Sequence, residues 1–246
     1  MIAQTEDNTY YTNSSLQFRI LSSNTPMPSL TVENYIKTIH EVCAKQDGSP
    51  ATTGQLAAAL SVSPGTVTSM LKTLSESNLV AYTPYEGARL TAAGRRLALR
   101  VLRRHRLIEL FLVRTLNLTW DEVHDEAEHM EHAVSDLLID RIDATLGHPE
   151  VDPHGDPIPR ADGSLSDSAC HALADSREGD EFRLVRVVDQ SAEFLRFLTA
   201  SGLPLGVEGR VAANHAEAGL VVIDVGGTTI HLGRSAAEKL LVSSVS

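Results

Sequence analysis

Residues 123–132, VHDEAEHMEH, hold three His and four acidic residues within ten positions. On an α-helix, the side chains of His124, Glu128, Glu131 and His132 have the spacing i, i+4, i+7 and i+8, so they share one face. Imidazole and carboxylate groups are metal ligands, and a set without thiolates favours Mn²⁺ or Fe²⁺ over structural zinc. The stretch predicts a divalent-metal site, with a solvated acidic face as the alternative.

A second pair of ligand types lies upstream in RRHRLIELF, where His105 and Glu109 are again four residues apart. Two antiparallel helices could bring these two side chains to the four in the later stretch. Six partly buried polar groups are costly unless a cation or ion pairs satisfy them. His129 and Asp125 lie off the predicted ligand face, and we expect them to be solvated.

The elements that would position these residues follow from hydrophobic periodicity. Apolar residues recur every three or four positions through residues 31–146, which predicts helices. Residues 147–180 carry four of the ten Pro and predict a loop and linker, so His148 and His154 are expected to be bystanders. Short apolar runs separated by turn signals after residue 181 predict a small β-rich domain.

Charge is unevenly distributed along the chain, whose net charge is −11. Residues 28–120 sum to +5 and residues 121–182 to −15. A basic module followed by an acidic one predicts one part that faces phosphate and one that holds cations. Four arginines of the basic module could contact phosphate or could only solvate a helix: Arg95, Arg96, Arg103 and Arg104.

Composition also bears on the compartment. Cys43 and Cys170 lie far apart with no CxxC partner, which argues against a zinc knuckle or a disulfide framework and favours a reducing cytosol. No apolar stretch reaches the roughly 18 residues that a membrane span needs. The N-terminal MIAQTEDNTYY lacks the basic and apolar regions of a secretory signal. We therefore expect a cytoplasmic protein that does not bind membranes.

The basic module contains a helix-turn-helix pattern. TTGQLAAALSV predicts a first helix capped by Thr53, and Ser63 is placed to cap a second helix that has Pro64 at its first position. LVAYTPYEGARLTAAG then predicts two strands around a glycine turn, which is a wing. The second helix offers short donors suited to phosphates and base edges in a major groove. The candidate DNA-binding residues are Ser63, Thr66, Thr68, Ser69 and Lys72.

Several motifs together resemble one known family. ENYIKTIHEV, the helix-turn-helix, RRHRLIE, VHDEAEHMEHAVSD and GHPEVDPHGDPIP resemble the diphtheria toxin repressor and manganese transport regulator family of metal-dependent transcriptional repressors. The resemblance covers roughly residues 28–246.

The resemblance implies a mainly α protein with a small β domain. Its parts would be a winged helix-turn-helix, a helical dimerisation domain and a C-terminal SH3-like barrel of the FeoA kind. The expected boundaries are a flexible tail at 1–27, the DNA-binding domain at 28–100, the metal-binding and dimerisation domain at 101–165, a linker at 166–180 and the SH3-like domain at 181–246.

The implied function is repression of metal-uptake genes by a homodimer that binds a palindromic operator in double-stranded DNA. Mn²⁺ or Fe²⁺ would act as corepressor, and the protein would not be an enzyme.

The family's two metal sites carry over residue by residue. The primary site would comprise Asn34, Glu128, Glu131 and His132. The ancillary site would comprise His105, Glu109 and His124, completed from the SH3-like domain by Gln190 and Glu193. The carboxylate at Glu128 stands where iron-type members carry sulfur, which favours manganese. Manganese-type members carry acids in the first helix, however, where this chain has Asn34 and Lys37, and an ammonium cannot ligate.

Two other classes of function remain open from the sequence. A carboxylate-bridged di-iron enzyme would need two ExxH pairs on separate helices, and only one is present, at Glu126 and His129. A metal-independent DNA-binding protein would use the acidic module only as a solvated surface. Metal-dependent DNA affinity separates these alternatives from a metal-dependent repressor.

Overall fold

The computed structural model describes residues 29–166 and 169–245. The predicted tail at 1–27 lies outside the described residues. Eight α-helices are described, besides one 3-10 turn at Leu173–Asp175: α1 Leu30–Ala44, α2 Thr53–Ala59, α3 Pro64–Glu76, α4 Ala92–Leu116, α5 Val123–Met130, α6 Asp136–Thr145, α7 Ala192–Ala200 and α8 Arg234–Ala237. Eight strands are described: β1 Val80–Thr83, β2 Gly87–Leu90, β3 His171–Ala172, β4 Glu181–Val187, β5 Glu208–His215, β6 Leu220–Val225, β7 Thr228–Gly233 and β8 Leu240–Ser244.

The first module is the predicted winged helix-turn-helix, formed by α1 to α3 and the β1–β2 hairpin. Ser63 caps α3 by accepting from Thr66 N, and Pro64 occupies the first turn. The predicted cap of α2 was wrong by one residue, because Thr52 rather than Thr53 accepts from Gln55 N in a reciprocal capping box. The hairpin is antiparallel, and a buried apolar cluster joins it to the three helices.

The helical part of the acidic module packs on the long helix α4. Thr91 caps α4 by accepting from Gly94 N, and Asn117 ends it in the left-handed conformation at φ 57°. α5 and α6 pack against the second half of α4 through an apolar cluster of their own. α5 ends at Met130, earlier than the ligand spacing predicted, so Glu131 and His132 lie in the turn before Ser135 caps α6.

The C-terminal module is a six-stranded antiparallel sheet in the order β3-β8-β4-β5-β6-β7. Inward-facing residues of the strands and of α7 form a third apolar cluster. β3 pairs with β8 at His171↔Val242, so strand structure begins before residue 181, where we expected this domain to start. Among the described residues, no helix is long and apolar enough to cross a membrane.

The sheet is docked directly on the helical module. Val187 N donates to His154 O at 2.9 Å, which joins β4 to the loop after α6. Gly155, at φ +88°, lies against β4 so closely that an added Cβ would be 2.1 Å from Val185 O. The loop therefore holds the sheet beside α4, and a glycine is required there.

Candidate metal centre

The candidate ligands come from α4, from α5 and from the turn after it, and α1 closes over them. His105 and Glu109 lie on the buried face of α4, as the i, i+4 spacing requires. α5 packs against this face of α4. The His124 side chain is about half exposed, whereas Glu131 is only 1% exposed. Since Glu131 is buried, the stretch VHDEAEHMEH is not simply a solvated face. His129 and Asp125 are exposed, as predicted.

His105 joins the two predicted sites instead of belonging to one. Its Nδ1 lies 2.6 Å from Glu131 Oε2 and its Nε2 lies 3.0 Å from Glu109 Oε1. Burial alone would lower the pKa of His105, but the contacts with Glu109 and Glu131 more than offset this and raise the pKa to about 9. A metal that binds His105 must therefore displace a proton.

We call His105, Glu109 and His124 the ancillary group. Single donor atoms of the three lie within 4.8 Å of one another. Glu109 Oε1 and His124 Nδ1 are buried atoms, and Glu109 Oε1 lies 3.0 Å from His105 Nε2 and 3.5 Å from His124 Nδ1. Burial would raise the pKa of Glu109, but His105 and His124 hold it well below its usual range, so the carboxylate stays ionised. Nitrogen and carboxylate donors that converge in this way fit a divalent cation.

We call Glu128, Glu131 and His132 the primary group. His132 Nε2 lies 3.1 Å from Glu131 Oε1, and His132 Nδ1 lies 2.7 Å from Glu33 Oε2. The donor types fit a divalent cation, but the Lys37 ammonium of α1 lies among them, 2.9 Å from Glu128 Oε1. Burial would lower the pKa of Lys37, yet Glu131 and Glu128 raise it, so the ammonium stays charged.

The predicted contribution of Asn34 is not seen in the described contacts. The Asn34 side chain makes no hydrogen bond within the described part of the chain, whereas Glu33 and Lys37 of the same helix reach the primary group. Arg104, proposed for phosphate or a solvated face, is instead 1% exposed and pairs with Glu33. The role of Asn34 therefore stays a prediction.

A third group was missed by sequence reasoning. Glu109, Asp152 and His154 are all buried, with donor atoms within 4.8 Å of one another. We call them the loop group. His154, expected to be a bystander, is 0% exposed; its Nε2 lies 2.8 Å from Trp120 O, and its Nδ1 lacks a hydrogen-bond partner among the described residues. The only sequence signal was the pair of Asp and His within the Pro-rich loop.

The two predicted ligands from the C-terminal module differ in position. Gln190 Nε2 donates to Asp156 Oδ2 at 3.0 Å, which places it beside the loop group rather than the ancillary group. Glu193 is exposed in the first turn of α7 and has no ion pair within the described part of the chain. Burial, together with Asp156 and Glu109, raises the pKa of the nearby Asp152 to about 8.

The candidate DNA-binding residues lie at the N-cap and along the first nine residues of α3, and all five are at least partly exposed. Ser63 Oγ and Thr66 Oγ1 are 2.9 Å apart, and Thr68 Oγ1 donates to Pro64 O. Thr68 and Lys72 line a groove whose opposite wall is the wing, including the fully exposed Tyr85. Ser69 and Lys72 are exposed.

Three family profiles match successive parts of the chain. They are the iron-dependent repressor N-terminal DNA-binding domain at 27–88, the iron-dependent repressor metal-binding and dimerisation domain at 91–160, and the FeoA domain at 171–244.

Curated relatives and solved structures agree with these matches. The diphtheria toxin repressor of Corynebacterium efficiens is 30% identical over 226 residues, which cover 87% of this chain and 96% of the relative. The iron-dependent repressor IdeR of Mycobacterium tuberculosis is 34% identical over 129 residues, 52% of this chain and 55% of the relative. A manganese-dependent transcriptional repressor in complex with manganese is 41% identical with a TM-score of 0.78, covering 87% of this chain and all of that one, 100%.

Proposed function

This chain belongs to the diphtheria toxin repressor family of metal-dependent, DNA-binding transcriptional repressors, and on that premise we propose which residues hold its metal and read its operator. Members of the family are repressors rather than enzymes, and Glu126 and His129, the single ExxH pair, are exposed. The protein acts as a homodimer on double-stranded DNA with a divalent metal ion as corepressor. We place it in the cytoplasm, where its DNA target is.

We propose that the ancillary group holds one divalent cation and the primary group a second. The observation that carries this proposal is the convergence of His105, Glu109 and His124, whose donor atoms lie within 4.8 Å of one another around a buried carboxylate. Oxygen and nitrogen donors without thiolate suit Mn²⁺ or Fe²⁺, and the carboxylate of Glu128 favours Mn²⁺. The loop group shares Glu109 and offers Asp152 and His154 as further donors.

We propose that metal occupancy acts through α1. When bound, the divalent cation supplies positive charge that holds ligands from separate helices together. Glu33 and Lys37 connect α1 to the turn after α5, so the arrangement of this turn fixes α1 relative to α4. Because α1 belongs to the winged helix-turn-helix, fixing it sets the spacing of the two α3 helices in a dimer, and that spacing selects two half-sites of a palindrome.

The consequence for the cell would be repression of metal-uptake genes when the metal is plentiful. The test is a paired titration in which Mn²⁺ or Fe²⁺ binding is followed by calorimetry and DNA binding is followed at one fixed salt concentration. We expect both curves to depend on the metal over the same concentration range. If metal binds without any effect on DNA affinity, the proposed mechanism is wrong.

Thr68→Ala is expected to leave metal affinity unchanged and to weaken operator binding. If Thr68 contacts a base, the loss is about 1–3 kcal/mol of discrimination between operator and other duplexes, and if it contacts only phosphate the loss is independent of sequence. Thr73→Ala is the matched control, because Thr73 lies on the same helix and makes the same kind of bond to a backbone carbonyl, Ser69 O. Equal losses in the two variants would contradict a role for Thr68 in the interface.

Gln190→Ala is expected to weaken metal-dependent DNA binding only partly, by a few-fold, because Gln190 reaches the loop group through Asp156. Glu217→Ala serves as control, since Glu217 is an exposed acid on the same module. DNA affinity measured across a Mn²⁺ titration separates the two variants. If Gln190→Ala responds to Mn²⁺ as wild type does, Gln190 has no role in the metal response.

A further inference from the structure

The amino group of Lys37 lies where a cation of the primary group would be expected. Lys37 Nζ is 2.9 Å from Glu128 Oε1 and 3.1 Å from both carboxylate oxygens of Glu131. It is also 3.3 Å from His105 Nδ1. The Lys37 side chain is 8% exposed. A buried ammonium thus contacts two residues of the primary group and the imidazole that joins it to the ancillary group.

The carboxylates around the primary group therefore have cationic partners from the protein itself. Lys37 pairs with Glu128 and Glu131, and Arg104 pairs with Glu33 at 3.4 Å. Glu131 is buried, and a buried carboxylate without a partner is strongly destabilising, so removal of Lys37 should destabilise the metal-free protein. The ancillary group differs, because the partners of Glu109 Oε1 are imidazoles, His105 Nε2 at 3.0 Å and His124 Nδ1 at 3.5 Å, which can themselves ligate a metal.

We propose that Lys37 is an internal competitor of the corepressor: its ammonium holds the cation position of the primary group in the metal-free protein and must move aside for a divalent ion to bind there. This inference rests on the proposed function of the primary group. It makes Lys37 a residue that sets how much metal is needed, because metal binding at Glu128 and Glu131 requires loss of its contacts with them.

The Lys37 ammonium and a divalent ion compete for the same carboxylate oxygens. An ammonium has three N–H donors and no lone pair, so Lys37 can hydrogen-bond to carboxylates but cannot ligate a metal. A divalent ion needs the same carboxylate lone pairs at a shorter distance, and the two positive charges repel at close range. The four-carbon stem of Lys allows the ammonium to swing out to solvent when it is displaced. The ancillary group should consequently fill at lower metal concentration than the primary group.

The experiment compares the full-length wild type with Lys37→Met, which keeps the length of the stem and removes the charge. Mn²⁺ binding is followed by calorimetry, and unfolding temperature is measured with and without Mn²⁺. The relevant binding event is the one that Glu131→Gln loses. We expect Lys37→Met to bind Mn²⁺ in that event about tenfold more tightly, a modest effect for a close charge contact.

Unfolding gives an independent readout. Without metal, Lys37→Met should unfold at a lower temperature than wild type, because Glu128 and Glu131 lose their partner. Mn²⁺ should then raise its unfolding temperature by more than it raises that of wild type, even if the metal-free variant is poorly folded. Lys37→Arg, which keeps a charge, should bind metal as weakly as wild type. Lys45→Met, an exposed charge removal just after α1, should match wild type throughout.

The outcomes distinguish this inference from the proposed function. Unchanged or weaker Mn²⁺ binding by Lys37→Met, beside normal binding by wild type, overturns the competition and leaves Lys37 as a structural link between α1 and α5. Absence of Mn²⁺ binding in both proteins overturns the proposed metal site and the competition with it.

Discussion

Glu131→Gln is expected to abolish metal-dependent DNA binding while the protein still folds and dimerises. The Glu131 side chain is 1% exposed, and its two oxygens contact Lys37, His105 and His132. Gln has the shape of Glu without its negative charge, so the variant loses the charge that would bind a divalent ion and that pairs with these side chains in the metal-free protein. The gain in operator affinity on adding Mn²⁺, about 5–150-fold for couplings of this kind, should disappear.

The measurement for Glu131→Gln is operator affinity with Mn²⁺ and with a chelator, beside circular dichroism and the measured mass of the dimer. Glu126→Gln is the matched control, since Glu126 is an exposed acid on α5, the helix that precedes Glu131. His132→Gln should resemble Glu131→Gln, because His132 links Glu131 to Glu33 of α1. Should Glu131→Gln titrate metal and bind operator as wild type does, the primary group is not a metal site.

Asp152→Asn is expected to stabilise the metal-free protein at pH 7. Asp152 is 3% exposed, and burial together with Asp156 and Glu109 raises its pKa from 3.8 to about 8. The nearby Arg106 guanidinium, 3.7 Å away, does not offset this. An Asn can still accept the backbone N–H bonds of His154 and Asp156 that Asp152 accepts. A buried acid that costs stability beside other ligand types is typical of a functional site.

The pH dependence follows from the sign of that shift. Between pH 3.8 and about 8 the folded protein holds the Asp152 proton while the unfolded chain releases it, so the free energy of unfolding falls as pH rises. Asp152→Asn removes this loss. The difference from wild type should be near zero below about pH 4 and reach at least about 1 kcal/mol at pH 7.

Chemical unfolding at several pH values, in the presence of a chelator, measures the effect of Asp152→Asn. Asp140→Asn, an exposed acid on α6, is the control and should not change the pH dependence. Added Mn²⁺ should stabilise Asp152→Asn less than it stabilises wild type if the loop group contributes a ligand. Lower stability of Asp152→Asn at pH 7 would mean that the carboxylate is favourably paired and that its burial does not cost stability.

Features set by local sequence were predictable. The cap at Ser63 with Pro64 after it, the wing around a glycine turn and the i, i+4 pair of His105 and Glu109 depend on neighbours within a few residues. The prediction that the helix continues through Glu131 and His132 was wrong, because Ser135 starts a new helix and the chain must turn before it. Glu131 still faces His105, as the helical spacing predicted, because Glu131 N donates to Ala127 O and so continues the helical hydrogen bonding of α5 by one residue.

The contacts of α1 were beyond local reasoning. Lys37 meets Glu131 across 94 positions of the sequence, and His132 meets Glu33 across 99. No spacing rule connects residues so far apart. From the sequence, Lys37 could be recognised only as a residue that cannot ligate a metal. His154 is similar, because its burial depends on docking of β4 and on Trp120, both outside its own loop.

The most direct test of a divalent corepressor measures the affinity for one DNA duplex with and without the metal. A duplex is first selected from a random pool by wild-type protein in the presence of Mn²⁺, and its affinity is then measured at fixed salt with Mn²⁺, with Fe²⁺ under anaerobic conditions, and with a chelator. The account predicts a palindromic site bound at least about fivefold more tightly with Mn²⁺ or Fe²⁺ than with the chelator. Equal affinity in the chelator and in both metals would contradict it.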